Sequence, residues 1–198
     1  MYQVGILLFN RVELLDFAGP YEVFSVTSEL NNHEMFHVFT ISADGKKIKT
    51  VNGLTVLPDY SFSNHPPVDI LIIPGGIGTR DEFVNPATLA WVQKNSLTAA
   101  ITMSVCSGTR ILAVLGLLDH REATTHHEVM EHVQELAPTA ILTAEKRFVD
   151  NETVMTSGGI SAGIDLALHI VEKLYGEATA HKTIRYMEYS DWKSIKED

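Results

Sequence analysis

The chain has 198 residues, 45% of them hydrophobic and 20% charged, a length and balance that suit one well-buried core and exclude a disordered chain. Its formal charge of −10 repels phosphate backbones, so nucleic-acid binding is not expected. No stretch has the uninterrupted apolar length of a membrane span, and the single cysteine excludes an internal disulfide and a cysteine-rich metal site.

The opening MYQVGILLFNRVELLD has no basic leader, and Asn10, Arg11 and Glu13 interrupt its apolar run, so it reads as a first strand (VGILLF, 4–9) and not as a secretory signal. A helix is predicted over 20–30, with Pro20 at its first position, and a strand over 36–42 (FHVFTIS). Residues 43–60 carry two turn signals, Asp44-Gly45 and Asn52-Gly53, between short alternating runs, the pattern of a small hairpin. Strands follow at 69–76 (DILIIPGG), 99–106 (AAITMSVC) and 152–159 (ETVMTSGG), with helices at 86–95, 108–118, 127–137, 161–175 and 177–189. The tail SDWKSIKED is read as a solvated end. Near-continuous apolarity in the strands fits a sheet covered on both faces. The alternation gives an α/β fold, flavodoxin-like and doubly wound, with a mostly parallel sheet, as one domain over 1–198. With neither leader nor span, the expected location is cytoplasmic.

Three turns at the carboxyl ends of strands carry the candidate chemistry. In AAITMSVCSGTRILAVLGLL a buried strand runs into Cys106, then Ser107-Gly108, then a helix. A cysteine on such a strand-to-helix elbow stands clear of the sheet, and a helix N-terminus behind it favours thiolate. The Ser107 N–H can hold a developing anion, and the Ser107 hydroxyl can donate to a substrate or to the sulfur. Equally, Cys106 can be an inert hydrophobe at a strand end. In DILIIPGGIG, Pro74-Gly75-Gly76 can aim the Gly76 N–H at the same reacting atom, with Gly75 and Ile77 as accessory positions, or can be plain turn chemistry. In LLDFAGPYEVF, Asp16 can act as a general acid/base or cap the following helix.

Taken in chain order, LLDFAGPYEVF, ILIIPGGIG, SVCSGTRILAVLGLLDHREATTHH and TSGGISAGIDLALHIVEKLYG resemble the ThiJ/PfpI superfamily, the class I glutamine amidotransferase-like fold, from about residue 3 to residue 190. Within it the resemblance is to isocyanide (isonitrile) hydratases and to the amidase-like sensor domains of AraC-type regulators. The resemblance implies that Cys106 is the nucleophile, that Asp16 is the acid facing it, that Ser107 keeps a hydroxyl where those hydratases commonly have threonine, and that the Gly76 and Ser107 amides form an anion-binding pair. It also implies a homodimer and needs no cofactor or metal. Ser107 stands where peptidase-like members have histidine, and no His-x-Glu pair follows residue 150 as in glutamine amidotransferases. A full AraC-type regulator would continue into a DNA-binding region, so this acidic chain ending at Asp198 is not expected to be one.

His126 falls where many superfamily members place a histidine near the cysteine, but it also suits a helix start capped by Thr125 or a neighbour. His126, His127 and His132 have no recognised metal-ligand spacing. SGGISAGIDLAL lacks the phosphate-loop lysine; its glycines suit close strand–helix packing, with Ser161 as a helix cap and Asp165 bonding to a neighbouring loop. Arg110 is expected in a surface ion pair, with recognition of an anionic substrate as the alternative. The reading that follows is hydration of a small electrophilic isocyanide by Cys106. Two alternatives stay open: an oxidation-sensing stress protein, and a small-molecule sensing domain without turnover.

Overall fold

The computed structural model describes residues 1–189; the tail SDWKSIKED lies outside the described residues. The elements run β1 (Tyr2–Leu7), α1 (Leu14–Glu29), β2 (Phe36–Ser42), β3 (Ile48–Lys49), β4 (Thr55–Val56), β5 (Tyr60–Ser61), β6 (Ile70–Ile73), α2 (Thr79–Glu82), α3 (Pro86–Ser96), β7 (Ile101–Val105), α4 (Thr109–Val114), β8 (Glu122–Ala123), α5 (Met130–Leu136), β9 (Ile141–Leu142), β10 (Phe148–Asn151), β11 (Val154–Ser157), α6 (Ala162–Tyr175) and α7 (Glu177–Tyr186). Seven strands form one sheet in the order β10-β11-β7-β6-β1-β2-β5, every pair parallel except β10 with β11. This is the flavodoxin-like α/β arrangement. All four residues of β6 and all five of β7 are buried, which explains their unbroken apolar sequence.

From β1 the chain crosses to β2 through α1, whereas from β6 it crosses to β7 through α3, moving the opposite way along the sheet. Right-handed crossovers in opposite directions lie on opposite faces, so a crevice opens at the carboxyl ends of β1 and β6, the neighbours between which the direction reverses. Helices α1, α6 and α7 pack on one another.

Several predicted boundaries shift. Helix α1 begins at Leu14, so Pro20 lies in its interior and Asp16 in its first turn. Proline has no N–H to bond back four residues, and the Asp16 carbonyl goes without that partner. The helix predicted over 108–118 is six residues, Thr109–Val114, behind a 3-10 turn at Cys106–Gly108, and the one predicted over 127–137 divides into a 3-10 turn, His127–Val129, and α5. The hairpin in 43–60 is β3 against β4, and the segment's last stretch adds β5 to the main sheet beside β2. Ser161 makes no capping bond; its Oγ accepts from Arg147 at 3.1 Å, because the residue is itself helical in conformation. Asp165 bonds Arg147 and, at 2.8 Å, the Tyr189 hydroxyl. Close strand–helix packing does occur at Gly163, where a Cβ would lie 2.8 Å from Val105 Cγ1.

Gly108 lets the turn after β7 press on β6: a Cβ there would sit 2.2 Å from the Ile73 carbonyl oxygen, which is fixed backbone. Gly108→Ala should therefore destabilise the fold by at least about 2 kcal/mol, read as a lower urea midpoint at unchanged slope. An unchanged midpoint would show that this contact relaxes freely.

Candidate active site

The crevice brings together the carboxyl ends of β1, β6, β7 and β11. Cys106 follows β7 directly with φ of 56°, a left-handed conformation that a non-glycine residue adopts at a cost. The elbow is pinned on both sides: its N–H donates to the Gly158 carbonyl at 3.1 Å, and its carbonyl accepts from the hydroxyls of Thr125 at 2.7 Å and Thr109 at 3.0 Å. The side chain is buried, 7% exposed, at the base of a cavity of about 250 Å³ whose wall includes Glu13, Arg80, Arg110, His126 and Ile160.

Asp16, fully buried, faces Cys106 from the first turn of α1. One carboxyl oxygen, Oδ2, accepts from the Gly75 N–H at 2.9 Å; Oδ1 has no hydrogen-bond partner among the described residues. Burial raises its pKa from 3.8 to about 7, with Glu13 adding to the rise, while Gly75, the Cys106 thiol and the Ile160 N–H pull it back. Neither of the last two completes a hydrogen bond to Oδ1.

The thiol is pushed up to about 12, first by burial and then by the Asp16 charge, against the Ser107 N–H, the Ile160 N–H and the Ser107 hydroxyl. The expectation that a helix N-terminus would favour thiolate is corrected here. The helix behind the elbow is one short piece, and desolvation with a facing carboxylate outweighs it. Sulfur and carboxyl form a coupled pair in which the proton rests on sulfur when Asp16 is ionised.

The Gly76 N–H is already engaged, donating to Ser107 Oγ at 3.0 Å, so the expected Gly76–Ser107 pair of free amides is not what the structure holds. The amides at the sulfur are those of Ser107 and Ile160. Ser107 Oγ also accepts from the Thr79 hydroxyl at 3.2 Å and approaches the Gly76 carbonyl at 3.2 Å. Gly75 serves Asp16, and Ile77 lies exposed on the cavity wall. Ile160 escaped the sequence reading because a β-branched side chain is the least expected residue at its φ of 48°.

His126 does reach the cavity, but its Nδ1 caps the 3-10 turn, accepting from the Glu128 N–H at 3.2 Å, and its ring stacks on His127. His132 stands apart, accepting from Arg110 Nε at 3.0 Å, and among the described residues no three His, Cys, Asp or Glu side chains converge as metal ligands. Arg110 is buried and in no ion pair among the described residues, so the surface pairing expected for it is wrong. Also among the described residues, no helix is long and apolar enough to cross a membrane.

Comparison with known proteins gives consistent results. The family model described as DJ-1/PfpI family matches residues 2–173. The chain is 32% identical to an isonitrile hydratase of Pseudomonas putida over 189 residues, covering 95% of this chain and 78% of that protein. It is 28% identical over 173 residues to the HTH-type transcriptional regulator GbdR of Pseudomonas aeruginosa, covering 87% of this chain but only 47% of the regulator. Among solved structures, a ThiJ/PfpI family protein from Pseudomonas syringae superposes with a TM-score of 0.86 at 27% identity, over 96% of this chain and 75% of that one.

Two outcomes follow from the coupled pair. Alkylation of Cys106 by iodoacetamide should stay slow and climb with pH through about pH 10, and Asp16→Asn should move the curve down by a unit or more, since the facing charge is gone; coincident curves would mean that Asp16 does not act on the thiol. The carboxyl also makes stability depend on pH. Folded Asp16 keeps its proton up to about 7 and the unfolded chain releases it near 3.8, so stability from this group falls as pH rises through that window. Asp16→Asn should thus be more stable than wild type at pH 8, by on the order of 4 kcal/mol, and the difference should vanish below about pH 4. Urea titrations at the two pH values check it.

Proposed function

This chain belongs to the DJ-1/PfpI family, and we propose that it is a cysteine-dependent isocyanide hydratase, converting R–N≡C and water to the N-substituted formamide R–NH–CHO. The observation that carries the reading is the fully buried Asp16 carboxyl, facing the one cysteine with an oxygen unpartnered among the described residues and a pKa near neutrality. An isocyanide carbon must gain both a nucleophile and a proton, and this pair offers both at one point.

In the proposed sequence the Asp16 carboxylate takes the thiol proton as Sγ bonds to the terminal carbon. It then gives that proton to the carbon lone pair, leaving the thioimidate R–N=CH–S–Cys106. Water adds to the same carbon, with Asp16 carrying one of its protons to nitrogen. The C–S bond breaks, the remaining hydroxyl proton returns through Asp16 to sulfur, and R–NH–CHO leaves. The Ser107 and Ile160 N–H groups hold the sulfur's negative charge as it develops and again as it departs. The Ser107 hydroxyl, tied to Gly76 and Thr79, keeps the elbow and the Gly75-Gly76 turn in register. Each step uses groups of this chain and water alone.

The test is formamide production from an aryl isocyanide. Cys106→Ala and Asp16→Asn should each lose at least about a hundredfold in kcat/KM. Wild-type kcat/KM should fall as pH drops below about 7, because the free enzyme needs Asp16 ionised to accept the thiol proton. A loss under tenfold for Cys106→Ala would rule the mechanism out. The likeness to a transcriptional regulator supports a second reading, a domain that binds a small molecule and does not transform it. Saturable binding with no formamide formed would decide for it.

A further inference from the structure

Arg110 is 6% exposed, and among the described residues it meets no carboxylate. Its Nε donates to His132 Nδ1 at 3.0 Å and its Nη1 to Thr79 Oγ1 at 3.0 Å, neither of them a carboxylate, and Nη2 has no partner among the described residues. Burying a guanidinium without an anion is costly. Here burial lowers its pKa, and so does a second guanidinium, Arg80, close enough to repel it. Arg80 is exposed, is in no ion pair among the described residues, and lines the same cavity as Arg110 and Cys106. Two like charges converge on one cavity in a chain of net charge −10. The two acids on the same wall, Glu13 and Glu128, form no ion pair with either arginine among the described residues; Glu13 instead raises the Asp16 carboxyl.

We propose that Arg110 and Arg80 bind a carboxylate on the ligand, so that the substrate class is an isocyanide bearing an acid group on its N-substituent. The isocyanide half of this statement rests on the hydratase reading; the carboxylate half does not. A cavity of about 250 Å³ suits a ligand with few atoms between the two groups. The guanidinium presents N–H donors in a plane, which matches a carboxylate held by two bonds. Glu13 and Glu128 share the wall with the two guanidiniums, so the anion is selected by paired N–H donors at short range and not by a net positive cavity.

Two measurements separate the halves. In the first, isocyanoacetate and methyl isocyanoacetate are compared as substrates. The acid should have at least a tenfold higher kcat/KM than the ester, and the acid-to-ester ratio should fall tenfold or more in Arg80→Gln and in Arg110→Gln. In the second, which needs no turnover, N-formylglycine and N-formylglycinamide are titrated as protectants of Cys106 against iodoacetamide. The acid should protect at a tenfold lower concentration than the amide, and both arginine variants should erase the difference. Equal turnover of acid and ester with equal protection overturns the carboxylate site and leaves the hydratase reading standing. No turnover of either isocyanide, with protection by the acid alone, overturns the hydratase reading and leaves the carboxylate site standing. Should Arg110→Gln fail to fold because it supports Thr79, Arg80→Gln decides, since that side chain is exposed. A ratio and a protection preference both unmoved by Arg80→Gln overturn its assignment.

Discussion

A carboxyl group with no contact with solvent, held by one backbone N–H, sets the terms for the rest of this crevice. Ionising it requires donors that water would otherwise supply, and the fold offers them sparingly: Gly75 to one oxygen, and the Cys106 thiol and Ile160 amide nearby. An aspartate so poorly solvated holds its proton at least as well as an unperturbed imidazole does. The same scarcity keeps the thiol protonated, since a second negative charge beside the first is worse still. Below neutral pH both groups keep their protons; above it the pair holds one, resting on sulfur, and the groups nearby tune how readily it moves. Glu13 pushes it toward the carboxyl, and the Ser107 and Ile160 amides favour its leaving sulfur.

That arrangement sits on backbone the chain would not choose alone. Cys106 and Ile160 both have positive φ, one at the end of β7 and one beyond β11. Threonine hydroxyls clamp the Cys106 carbonyl, and the Gly158 carbonyl holds its N–H, so the elbow is fixed by neighbours rather than by its own preference. Strain retained at two adjoining loops, each sending an amide toward one sulfur, is what a preorganised anion site requires.

The sheet and its winding were legible because buried parallel strands leave unbroken apolar runs, as ILII and ITMSV do here. Cys106 and Asp16 were legible as residues at strand ends, and the crevice brings them face to face. Their proton affinities were not. The sequence suggested an activated thiolate, and burial reversed the sign. Pro20 reads as an opening residue, while α1 begins at Leu14 and absorbs it in its interior. The Gly76 amide is consumed by Ser107 and Ile160 supplies one instead, because which N–H is left over depends on hydrogen bonds between segments far apart in the chain. The character of Arg110 likewise depends on its burial and on partners, His132 and Thr79, that are not carboxylates, neither of which its sequence position reveals.

The two ends of the sheet differ from its middle. At one edge β5 pairs over only two residues; at the other, β10 turns antiparallel and carries Asp150, which bonds His169 at 2.8 Å and Lys173 at 2.8 Å on α6. A short strand offers little ladder to an incoming one, and a charged residue tied to a covering helix makes the other edge a poor template. The β10 margin thus resists growth by strand addition, whereas the stretch of β2 before Ile41 has no partner strand on its outer side among the described residues. For copies of this chain that meet in concentrated solution, the readiest β-edge is therefore the start of β2 and not β10, so any sheet-to-sheet association has one margin to begin from.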